Sequence, residues 1–104
     1  MHHVELSGRA MRDLRRLDHP VRRRILNLLE QDLAAEPQPP NLDVKQLVGR
    51  APWLRLRRGE HPVLFRPLTE DEVAGCATSA TEGFLVERIV DRRDLERAVA
   101  TLTG

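Results

Sequence analysis

Residues 53–66 read WLRLRRGEHPVLFR. Leu54 and Leu56 alternate with Arg55 and Arg57, so a strand over Trp53 to Arg57 turns its leucines to one side and its arginines to the other. Gly59-Glu60 follows, where glycine supplies the positive φ of a tight turn, and Val63 to Arg66 returns as a second strand. The stretch is a β-hairpin with positive charge along one face. Such a face is either the wet side of a half-buried strand or a grip on a polyanion.

Upstream, His2 to Leu6 alternates weakly and reads as a short strand, followed by a helix that Ser7 caps and that buries Ala10, Leu14 and Leu17. Asp18-His19-Pro20 opens a second helix, with Asp18 as the expected cap and proline in the first turn. Its apolar stripe is Val21, Ile25, Leu28, Leu29 and Leu33, opposite an arginine-rich face that includes Arg22, Arg23 and Arg24. The prolines of Glu36 to Pro40 end it. Downstream, Phe84 to Val90 is a strand apolar enough for the inside of a sheet. Between it and the hairpin, Leu68 to Gly83 is an acidic connection in which Thr69 and Glu72 have capping-box spacing for one helical turn. Asp91 caps a last helix with the stripe Leu95, Ala98, Val99 and Leu102. The expected order is β-α-α-β-β-β-α, an α+β single domain over residues 1–104 with a mainly antiparallel four-stranded sheet packed against helices.

At 104 residues the chain suits one core. Aromatic residues make up 3% and tyrosine is absent, so Leu, Val and Ile must fill the interior. Cys76 stands alone and His2, His3, His19 and His61 are scattered, so neither a disulfide framework nor a metal site is expected. No apolar run has the length of a membrane span, and Met1 to Leu17 lacks the apolar block of a secretory signal; a cytoplasmic location is expected. Net charge is only +1, but the charge is segregated. Arginine dominates Arg9 to Arg24 and Arg50 to Arg66, and acid dominates Leu68 to Glu87. The basic residues are almost all arginine, whose planar guanidinium grips phosphate at two points. Trp53, beside Pro52, reads as a core anchor.

RDLRRLDHPVRRRIL at Arg12 to Leu26, DVKQLVGR at Asp43 to Arg50, the hairpin itself, and LVERIVDRRDLERAV at Leu85 to Val99 together resemble the RelE/ParE superfamily of bacterial type II toxins, in RelE-like form. The resemblance covers most of the chain in the right order. It implies a toxin held inactive by a cognate antitoxin, and a ribosome-dependent endoribonuclease that cuts messenger RNA without a metal or small-molecule cofactor. It also implies catalytic roles for Arg55, Arg57 and Arg92, as cations that position phosphate and stabilise its pentavalent state, and RNA contacts from Arg58, Arg66 and His61.

The chain departs from the family pattern at several places. Pro62 stands where an arginine is usual, His61 and Phe65 where tyrosines are common, Asp91 where histidine is common, and Glu96 where a tyrosine often takes part in chemistry. Three readings stay open. They are a messenger RNA endonuclease, a ParE-like poison of DNA gyrase, and a toxin-fold protein that binds its antitoxin with weakened or no catalysis.

Overall fold

A computed structural model describes residues 1–103. Five strands form one sheet in the order β1-β5-β4-β3-β2, with β1 spanning His3–Leu6, β2 Val44–Gln46, β3 Leu54–Leu56, β4 Val63–Pro67 and β5 Gly83–Ile89. β1 runs parallel to β5 and the other pairs are antiparallel. The expected four-stranded sheet is thus corrected to five. The extra strand, β2, is three residues long and pairs Val44, Lys45 and Gln46 with Leu56, Arg55 and Leu54. Three residues are too few to display an alternation, and only pairing with β3 makes them a strand.

Among the described residues four α-helices accompany the sheet: α1 Gly8–Arg15, α2 His19–Asn27, α3 Glu70–Ala74 and α4 Leu95–Ala100. Ser7 caps α1 as expected, its Oγ accepting the Ala10 N–H at 3.1 Å and donating to the Glu87 carbonyl at 2.9 Å. Asp18 sits at the start of α2 but its side chain makes no capping bond. Pro20 occupies the second helical position and has no N–H, so one of the two amides that a cap normally serves is missing. Arg22 instead joins the two helices, donating to the Leu14 carbonyl at 3.0 Å and the Leu17 carbonyl at 2.9 Å. Past Asn27 the helix widens into a π-helical segment, Leu28–Leu33, that keeps Leu28, Leu29 and Leu33 buried.

The helical turn expected near Thr69 is α3, with both bonds of its capping box present. Asp91 accepts the Arg93 N–H at 2.9 Å and opens a 3-10 turn, Arg92–Asp94, that runs into α4.

Apolar side chains cover both faces of the sheet. On one, α1, α2 and the π-helical segment pack Ala10, Leu14, Ile25, Leu29 and Leu33 against Leu56, Val63, Phe65, Val86 and Ile89. On the other, Ala98 and Leu102 close over Trp53, Leu64 and Val90. Val86 and Ile89 are three apart yet share a core, which strict alternation forbids. A bulge explains it: Leu64 faces Arg88 while Phe65 faces Val86, leaving Glu87 as the extra residue. Trp53 is the anchor expected from sequence. It is buried, and its Nε1–H donates to the Thr103 carbonyl at 2.9 Å.

Candidate nucleic-acid interface

The β3–β4 hairpin turns at Gly59, where φ is 76°. Three backbone bonds tie its closed end to neighbouring chain. The Arg57 N–H donates to the Asp43 carbonyl at 3.0 Å, the Val90 N–H to the Pro62 carbonyl at 3.2 Å, and the Arg92 N–H to the Glu60 carbonyl at 2.9 Å. They bring the ends of β3 and β5 and the start of β2 to one end of the sheet. Arg57 and Arg92 are both exposed there. Arg92 lies 3.4 Å from Glu60 in a loose surface pair, and among the described residues no carboxylate pairs with Arg57. Asp91 and Arg93 are bonded to each other, and the Arg93 guanidinium holds the Asp91 carboxyl below its ordinary value.

The six residues expected to bind or cut RNA do not form one surface. Arg55 is 9% exposed, in the sheet opposite Leu64 of β4 and Lys45 of β2. Its Nη2 lies 3.8 Å from Asp43, and among the described residues its buried Nη1 has no hydrogen-bond partner. Neither the wet strand face nor an open phosphate grip describes Arg55; it is a cation under the surface. Arg58 is ion-paired with Asp32 on the helical side. His61 is half-buried in a groove of about 420 Å³ between α2 and the hairpin, with Val21, Arg24, Ile25 and Arg58. Arg66 lies further along β4, gripped by Glu72 at 2.8 and 2.9 Å and placed 5.9 Å from the centre of the Trp53 ring.

Glu72 is thereby held down to about 2, first by the Arg66 bond and then by the Thr69 N–H. The acidic connection thus reaches Arg66. Pro62, where the family pattern carries arginine, is fully buried.

Lys45 is the cation that sequence reasoning passed over. It is exposed, and as the direct partner of Arg55 it shares that residue's face of the sheet. Its single-residue alternation with Val44 and Gln46 was too short a signal to mark a strand. Lys45 on β2, Arg55 on β3 and Arg57 just past the end of β3 form a cationic strip, two exposed charges flanking a buried one whose acidic neighbour is Asp43.

No protein-family model matches the sequence, and no curated protein is significantly similar to it. Solved structures are more informative. A chain of the RelB–RelE antitoxin–toxin complex from Methanococcus jannaschii superposes with a TM-score of 0.64 at 17% identity, over 90% of this chain and 96% of that one. A chain of the toxin–antitoxin complex RelBE2 from Mycobacterium tuberculosis gives a TM-score of 0.66 at 23% identity, over 88% of this chain and 98% of that one. The chain has the RelE-like fold. The likeness spans nearly all of each matched chain, so the RelE-like fold accounts for the whole domain and not for the hairpin alone. No helix among the described residues is long and apolar enough to cross a membrane.

Proposed function

We propose that this chain is the toxin of a type II toxin–antitoxin pair and that, when released from its antitoxin, it cleaves messenger RNA on the ribosome. The observation that carries the reading is the fold, shared with two chains crystallised as antitoxin–toxin complexes. The cationic strip supports the choice of an RNA target.

In the proposed reaction the ribose 2′-oxygen attacks the adjacent phosphorus, the 2′-hydroxyl proton passes to a base, and the 5′-oxygen leaves with a proton from an acid. Arg57 and Arg92 neutralise the extra charge on the phosphorane, and Arg55 raises the local positive potential from below the surface. Arg66 and Arg58, each held by a carboxylate, are less free for RNA than Arg57. His61, an imidazole at the hairpin end, is the side chain placed there to take or give the proton. A cytoplasmic site of action follows from the ribosomal target.

A second reading has its own support. Arg55 is buried, Arg92 faces Glu60, and the chain has no tyrosine, an arrangement suited to a protein that binds its antitoxin and cleaves poorly. Induced expression followed by mapping of messenger RNA 5′ ends separates the readings. Translation-dependent cuts that fall about 100-fold in Arg57→Ala support the nuclease. Growth arrest without cuts overturns it in favour of a gyrase-directed toxin, and co-purification with an antitoxin without arrest or cuts favours the binder.

A further inference from the structure

His3 and Glu5 are two apart on β1 and therefore project from the same face of this edge strand. Cys76, just past α3, comes to meet them. Its Sγ lies 3.6 Å from the Glu5 Oε1, and the His3 Nε2 lies 3.9 Å from the same oxygen. All three donor atoms fall within 4.8 Å of one another. Among the described residues the buried His3 Nε2 has no hydrogen-bond partner, so the cluster contains a ring nitrogen left unsatisfied.

We propose that His3, Glu5 and Cys76 form a binding site for one divalent ion of the zinc class, with water as a fourth ligand. Imidazole nitrogen, carboxylate oxygen and thiolate sulfur together suit zinc, whereas magnesium and calcium take oxygen donors. Around a tetrahedral zinc, such ligand atoms stand about 3.3–3.7 Å apart, given Zn–N and Zn–O near 2.0–2.2 Å and Zn–S near 2.3 Å. The two observed separations need to change by only a few tenths of an ångström. In the free protein the one Sγ proton is shared between the Glu72 carbonyl at 3.2 Å and the Glu5 carboxylate, so metal binding releases that proton to solvent and forms a metal–sulfur bond. The bound ion fastens the end of α3 to β1.

A second group, His2, Glu36 and Glu82, lies nearby and provides the control. It offers no sulfur, and it has two exposed carboxylates where the proposed site has one, Glu5.

The test uses the untagged full chain, treated with chelator, kept reduced and titrated with Co²⁺ as the probe. One equivalent should bind with a thiolate-to-cobalt charge-transfer band in the near ultraviolet, and Zn²⁺ should abolish that band by displacement while Mg²⁺ does not. Cys76→Ser should remove the band, Glu5→Gln and His3→Gln should each weaken Co²⁺ binding by about 10- to 100-fold or more, and Glu82→Gln should leave it unchanged. Absence of the band in the wild-type chain overturns the proposal without recourse to any variant. A band that survives Cys76→Ser, or that responds to Glu82→Gln and not to Glu5→Gln, also overturns it.

Discussion

Asp13 on α1 holds Arg88 on β5 at two points, 2.8 Å to Nε and 3.2 Å to Nη2, and the same carboxylate accepts the Ile89 N–H at 2.9 Å. One side chain thus satisfies a largely buried guanidinium and a backbone amide just past the bulge of β5. Asp13→Ala leaves both donors without a partner and should destabilise the chain by about 2–4 kcal/mol. Arg88→Ala should cost less, because Asp13 keeps the Ile89 N–H. Urea denaturation of the two variants checks the order, and an equal or reversed order would contradict it.

Arg55→Met should behave differently from an ordinary loss of a charged residue. A buried cation with an unsatisfied nitrogen and an ion-pair partner 3.8 Å away is replaced by an apolar side chain of similar length. Stability should stay level or rise by about 1–2 kcal/mol, while any RNA cleavage falls. Thermal unfolding measured beside a cleavage assay reads both effects, and a large loss of stability would mean that Arg55 is structural.

Arg57→Ala and Lys45→Ala remove exposed charges, so each should leave stability within about 0.5 kcal/mol of wild type. If both contact phosphate, each should lower the logarithmic salt slope of RNA binding by roughly 0.7–0.9. Arg58→Ala, where the charge is already matched by Asp32, should change that slope less. Filter binding over a range of salt concentrations decides the matter.

The Arg66–Glu72 pair predicts a pH dependence. Glu72 titrates at about 2 in the folded chain against an ordinary 4.5, so its folded value is depressed. Its contribution is therefore fully present above pH 4.5 and is lost as pH falls toward 2. Glu72→Gln should be less stable than wild type near neutrality, and the gap should close through that window. Melting curves recorded from neutral pH to about pH 2 would show the convergence; a constant gap would exclude the ion pair as its source.

Gly83→Ala tests the junction of β1 and β5. A Cβ at Gly83 would meet the His3 carbonyl oxygen at 2.7 Å and the Leu68 Cδ1 at 2.9 Å. The oxygen belongs to the backbone of the paired strand and cannot swing away, so the substitution should cost about 1–3 kcal/mol. Pro62→Arg should also destabilise, since the proline is fully buried and a longer side chain has no room there. Chemical denaturation of both variants measures these losses.

Local rules, written in the chain itself, determined most of the elements. Ser7 and Thr69 cap where their spacing says, Asp91 caps the 3-10 turn that leads into α4 and not α4 itself, Gly59 turns the hairpin, and the leucine stripe of Ile25 to Leu33 is buried even where the helix widens into a π-helical segment. Each depends on contacts a few residues apart, and sequence spacing reports those directly. The ordered resemblance reached the RelE-like fold for the same reason, through the succession of such elements.

What only the tertiary structure decided depends on partners distant in the chain. Val44–Gln46 is a strand because β3 lies beside it, and Lys45 joins the cationic strip by that pairing alone. Arg55 and Arg57 are equivalent in the alternating pattern, yet one is buried and the other exposed, because burial is set by what packs over a strand and not by its period. The bulge at Glu87 reverses the facing of the residues after it, which no count along β5 foretells. His3 and Glu5 are separated from Cys76 by about seventy residues of chain, and only the parallel pairing of β1 with β5 and the return of the chain after α3 bring them within a metal's reach.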